Sequence, residues 1–145
     1  MVIDPPDGRI PALTAEARTR RAPAGTAGVG PFNTIDDFSL WDRCITRGVA
    51  GSWLPVVYGN GTRIMQTRDT VVIVHEMVHE ARVIPLDGRP HVGSVLRQLL
   101  GDSRGHWEGD TLVIDTTNFT DRLAVTGGAR HSEAMKITER ITRSR

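Results

Sequence analysis

The segment from Thr70 to Ile84 constrains the fold more than any other. Eight of its fifteen residues are β-branched. Branching at Cβ stiffens χ1 and favours a pleated, extended backbone over a helix. The segment predicts a strand from Thr70 to Met77 and a second from Glu80 to Leu86, closed by the turn pair Asp87-Gly88. It also contains His75-Glu76-Met77-Val78-His79, the H-E-x-x-H spacing of zinc proteases. That chemistry needs a helix, which alone puts residues i and i+4 on one face. In a straight strand the two imidazoles lie ~13 Å apart at ~3.3 Å rise per residue. Zinc bonds of about 2.0–2.1 Å do not span that. The motif is therefore read as a strand feature, with no metal and no cofactor expected. A hairpin turn between the two histidines, with His106 or His91 as third imidazole, is the route by which a metal site would form.

The rest of the chain repeats the β signal. Val56-Val57-Tyr58 runs into Gly59-Asn60-Gly61, a hairpin turn. Arg63 to Thr67 ends at Arg68-Asp69. Gly105 to Glu108 turns at Gly109-Asp110 into Thr111 to Thr116, and Ala134 to Thr142 follows a Gly127-Gly128 loop. Only two stretches beyond the N-terminal arm read as helical. Asp36 to Cys44 is a helical turn. Ser94 to Leu100 is a short helix carrying Val95, Leu96, Leu99 and Leu100, capped by Gly101. In the arm, Thr14 to Arg21 reads as a brief helix with Thr14 as N-cap. Successive antiparallel strands with tight turns predict a mostly β fold, a meander closing toward a small lipocalin-like barrel. Residues 1–31 form an irregular arm and a Gly- and Pro-rich linker, with 22–31 its most mobile part. Residues 32–145 form the β-rich domain. The last strand sits at the very end of the chain, so either C-terminal strands are lacking or a second copy covers the open edge, and a homo-oligomer is expected.

Charge and cysteine usage narrow the partners. The net charge is +1, without the clustered positive field that nucleic acid or a membrane surface requires. No apolar run reaches the ~20 residues of a membrane span, and residues 1–6 lack the basic start and apolar stretch of a signal peptide. Read as given, the chain is cytoplasmic; a trimmed mature form would be exported. Cys44 is the only cysteine, which excludes an internal disulfide, and it is expected to be buried as a small apolar residue.

Three segments carry a resemblance. They are Ile64-Met65-Gln66-Thr67 leading to Pro85-Leu86-Asp87-Gly88-Arg89-Pro90-His91; Gly101-Asp102-Ser103-Arg104-Gly105-His106-Trp107-Glu108-Gly109-Asp110-Thr111-Leu112-Val113; and His131-Ser132-Glu133 through Thr138-Glu139-Arg140. Together they resemble a family of uncharacterised bacterial, often exported, β-rich proteins over roughly the last two-thirds of the chain. The resemblance implies no activity. Its members often carry Tyr at the position of His75, and tend to continue beyond the position of Arg145.

Three groups of side chains suggest chemistry. In a strand alternate residues share a face, so His75, Met77 and His79 go with Val71 and Ile73, and Glu76, Val78 and Glu80 with Val72 and Val74; a turn at Val78-His79, which the resemblance implies, would leave the parity across it open. The second group is acidic: Asp102, Glu108, Asp110 and Asp115 near Arg104, where two carboxylates of separated pKa divide acid and base roles. Asp115 interrupts Leu112-Val113-Ile114 on the face of Val113, so it is either partnered or in a cavity. The third is Glu76, Glu80 and Arg82 with His131 and Glu139, a polar patch in an apolar wall where Arg82 forks onto a carboxylate. The expected function is a small hydrolase working by general acid–base catalysis at a barrel mouth on a glycoside or ester. Its catalytic residues would be His75, Glu76, Asp102 and Asp115; its ligand-binding residues would be His79, Glu80, Arg82, His106, Trp107 and His131. The alternative is a lipocalin-like binding module for a small apolar or carboxylate-bearing ligand.

Overall fold

The computed structural model describes residues 2–20, 32–54, 58–124 and 130–143. Among the described residues the fold is mostly β, with six strands and few short helices. The predicted linker at 22–31, most of the strand expected at 56–58 and the Gly127-Gly128 loop lie outside the described residues. β1 (Thr62–Gln66), β2 (Thr70–His75) and β3 (Ala81–Pro85) form one antiparallel sheet in that order. β4 (Asp102–Glu108), β5 (Thr111–Thr117) and β6 (Ile137–Thr142) form the second, also antiparallel and in chain order. The meander is thus present as two three-stranded sheets, and the described strands do not close into a barrel.

Period-2 alternation sets the inner faces. Val71, Ile73 and His75 are buried along β2, Arg82 and Ile84 along β3, and Leu112, Ile114 and Thr116 along β5. Val71, Ile73, Ile84, Leu112 and Ile114 make one cluster drawn from both sheets, flanked by Leu86 and Ile141. Such burial stabilises by roughly 1.5–3 kcal/mol per side chain. Gly105 on β4 permits this approach. A Cβ there would lie 2.7 Å from Leu86 Cδ2 and 2.9 Å from Ile84 Cγ2, closer than carbon atoms can pack.

The helical expectations divide. In the arm, α1 (Ala15–Thr19) starts where the sequence places it, with Thr14 Oγ1 accepting from the Ala17 N–H at 3.1 Å. Within 36–44 there is only a 3₁₀ turn, Ile35–Asp37, followed by hydrogen-bonded turns. A second helix, α2 (Gly48–Trp53), lies where no helix was expected. The helix expected at 94–100 does not form. That stretch is turn and irregular backbone, with Gln98 in an isolated bridge to Phe119. Cys44, expected inside, is exposed and sits at φ 54.

The strand beginning at Thr70 ends at His75, and Met77–His79 is a 3₁₀ turn. Val78 at φ 61 and His79 at φ 53 reverse the chain there. The shared face predicted for His75, Met77 and His79 is therefore broken after His75. The H-E-x-x-H spacing straddles a strand end and a tight turn, not an α-helix.

Candidate functional site

At one end of the apolar cluster each of the six described strands contributes one polar side chain to a connected layer. Arg82 of β3 is its centre. Its Nη1 and Nη2 donate to Glu139 Oε1 and Oε2 of β6 at 2.9 and 2.6 Å. The same Nη2 reaches Ser103 Oγ of β4 at 3.3 Å, and Ser103 Oγ bonds Thr116 Oγ1 of β5 at 2.9 Å. His75 of β2 bonds Thr62 Oγ1 of β1 through Nδ1 at 3.1 Å. Arg82 and His75 are each 4% exposed. Two parallel charge-assisted bonds are the strong form of an arginine–carboxylate contact.

Trp53, the last residue of α2, covers this layer. Its indole N–H donates to Glu139 Oε1, and its ring meets the His75 imidazole edge-on at 5.3 Å between centroids. Trp53 remains 39% exposed, so it stands between the layer and solvent. The α2 segment is tied down from both sides. Arg47 donates to the carbonyls of Tyr58 and Gly59, and Ser52 donates to Glu80 at 3.3 Å.

Two buried nitrogens of the layer have no partner within the described chain, Arg82 Nε and His75 Nε2. Arg82 Nε always carries hydrogen. When Thr62 donates to His75 Nδ1, His75 Nε2 carries it too. Burial lowers the His75 pKa below 6.5, and the cations of Arg82 and Arg47 lower it further against the opposing pull of Glu139. The imidazole is neutral at pH 7.

The predicted site residues fall in different places. Only His75 and Arg82 meet in the layer, with Glu139 of the third group. Glu76 is exposed beyond it and accepts from the Gly61 N–H at 3.0 Å. Glu80 bonds Ser52, and His79 is exposed on the 3₁₀ turn. Asp115 is partnered, accepting from Thr138 at 2.7 Å. His106 and Trp107 are exposed on β4, with His106 facing Glu108 at 3.3 Å. His131 packs edge-on against Phe119 at 5.7 Å and borders a recess of about 10 Å³ with Gly48, Val49 and Leu123, room for about one water.

Asp102 anchors a separate cluster. One carboxylate oxygen accepts from His91 Nδ1 at 2.9 Å and the Val92 N–H at 3.0 Å; the other accepts from Arg104 at 2.6 Å. Burial disfavours its charge, but the Val92, His91 and Arg104 bonds outweigh that and hold the carboxyl below its ordinary range. Glu108 is likewise held low by Arg140 and His106.

Sequence reasoning passed over Ser103, Thr116 and Thr62. A signal was available: Ser103 alternates with Gly105, and Thr116 with Ile114 and Leu112, so both belong to the core-facing rows. Among the described residues no three His, Cys, Asp or Glu side chains gather as a metal site would require, and no helix is long and apolar enough to cross a membrane. The chain matches no family model, no curated protein and no solved structure.

Proposed function

We propose that this chain is a binding module for a small carboxylate-bearing ligand, held at the layer around Arg82. The observation that carries the reading is the pair of buried nitrogens without partners beside the bidentate Arg82–Glu139 contact: Arg82 Nε, which carries hydrogen, and His75 Nε2, which carries it when Thr62 donates to Nδ1. A buried donor left unpaired costs about 1–3 kcal/mol. A ligand oxygen accepting from either removes that cost. Trp53 supplies an aromatic wall for the ligand's apolar part, and a shift of the six-residue α2 would open the way in. The lipocalin-like barrel belongs with this reading: β3 would pair with β4 and β1 with β6 around the ligand.

The alternative of a hydrolase at the same mouth has less support. Of His75, Glu76, Asp102 and Asp115, only His75 lies in the layer. A glycosidase needs one carboxyl with a raised pKa as proton donor, whereas Asp102 and Glu108 are both held low.

Calorimetric titration of the full chain with octanoate and with 1-octanol tests the proposal. Octanoate should bind saturably, and octanol about 10-fold more weakly or worse, since a bond to a charged group contributes about 1.5–3 kcal/mol. His75→Asn should weaken octanoate while leaving the fold intact. Equal binding of acid and alcohol, or no saturable binding of octanoate, benzoate or acetate, would discard the proposal.

A further inference from the structure

His91 and Asp102 lie outside that layer, on the segment 86–101 between β3 and β4 and at the first residue of β4. The segment is pinned at several points. Asp102 takes the His91 Nδ1–H and the Val92 N–H. Arg104 Nε donates to the Pro90 carbonyl at 3.1 Å, and Asn118 Nδ2 donates to the carbonyls of Val92 and Gly93 at 3.0 and 3.3 Å. The backbone on both sides of His91 is therefore fixed, and so is its ring. Asp102 is 8% exposed, while the His91 side chain is 30% exposed. An ionised carboxylate accepts only, so it fixes the proton on Nδ1 and leaves the Nε2 lone pair free. Nε2 has no partner among the described residues. The same segment presents Val95, 90% exposed, and Leu96 to solvent.

We infer that His91 is a general base, oriented by Asp102, for hydrolysis of small carboxylic esters with an apolar acyl group. His91 Nε2 takes a proton from water as the water oxygen attacks the ester carbonyl carbon. The tetrahedral intermediate then breaks its bond to the alcohol oxygen, and the imidazolium returns the proton to that oxygen. Ester and water become acid and alcohol, and His91 ends neutral. Asp102 is a positioning residue: it sets tautomer and ring orientation and does not touch substrate. The exposed Val95 and Leu96 offer the acyl chain an apolar surface. This site is independent of the ligand layer at Arg82.

The test measures turnover of p-nitrophenyl acetate and butyrate across pH by the full chain, His91→Gln and Asp102→Asn, with near-ultraviolet circular dichroism confirming the fold. The wild type should exceed an equal concentration of free imidazole and show one basic limb. Butyrate should be preferred. His91→Gln should lose about 100-fold or more, the usual worth of a positioned base, and lose that limb. Asp102→Asn, which favours the wrong tautomer, should cut kcat with little change in KM and alter the limb. Octanoate binding should be unchanged in both variants. A wild-type rate no higher than free imidazole, or an unaltered rate and pH profile in His91→Gln, would overturn the inference.

Discussion

Arg82 and Glu139 lie 57 residues apart in the chain, yet their side chains meet through two bonds that tie the β1–β3 sheet to the β4–β6 sheet. Their side chains are 3% and 9% exposed. Taking both charges out of water costs several kcal/mol per ion. The bidentate geometry and the extra bonds from Trp53 and Ser103 offset it.

Breaking that pair from one side should be severe. Glu139→Ala leaves a buried guanidinium without its counter-charge, and a loss of about 3–5 kcal/mol is expected. The double change Arg82→Met with Glu139→Leu removes both charges and should recover most of it. Urea unfolding of the three proteins checks this. A double variant no more stable than Glu139→Ala would contradict it.

Close packing at Gly105 gives a second expectation. Gly105→Ala pushes a methyl group into Leu86 and Ile84 between β3 and β4. Leu86 is only partly buried and has room to move; Ile84 is fully buried in the core and has little. The cost should be about 1–3 kcal/mol, the range for overpacking a core. An unchanged urea midpoint would mean that β3 and β4 are farther apart than described.

The strands were readable because their alternation is local. Val71, Ile73 and His75 share a face in the sequence reading and in the structure. The parity failed after His75 because Val78 and His79 adopt positive φ, which β-branched Val rarely does. The expected helix at 94–100 failed for a long-range reason. Val95, Leu96, Leu99 and Leu100 have helical spacing, but Asn118 and Asp102 take the backbone groups of Val92 and Gly93, and Gln98 bonds the backbone of Asn118 and Thr120. The layer was half legible. Arg82 and Glu139 stood in one group, and Glu139 alternates with Ile137 and Ile141. Nothing local tells which of Glu76, Glu80 and Glu139 an inward Arg82 meets, because strand register decides it.

Asp102 should matter to stability beyond any catalytic role. Asp102→Ala removes the acceptor for His91, Val92 and Arg104 at once. A loss of about 3 kcal/mol is expected, at about 1.5–3 kcal/mol for each bond involving a charged group and allowing for non-additivity. Amide exchange at Val92 should accelerate. Its folded pKa is depressed, so its contribution is fully present above about 3.8 and fades as pH falls through the lower folded value. Unaltered exchange at Val92 would show the segment is held by other contacts.

His75 should make the fold acid-sensitive in a higher window. Burial first, then Arg82 and Arg47, depress its folded pKa below 6.5, while Glu139 acts against them. Above pH 6.5 folded and unfolded chains both hold neutral imidazole, and the group adds no pH dependence. Below 6.5 the unfolded chain takes up a proton that the folded one resists. Stability therefore falls with pH until the folded pKa is passed, at most by about 1.4 kcal/mol per pH unit for one group. His131 is depressed in the same direction, chiefly by burial, so both contribute. His75→Phe keeps an aromatic ring beside Trp53 and cannot titrate. Its unfolding free energy should decline less steeply between pH 7 and 5 than the wild type's, and adding His131→Phe should flatten it further. Parallel curves for wild type and His75→Phe would mean that His75 is as free to protonate in the folded chain as in the unfolded one.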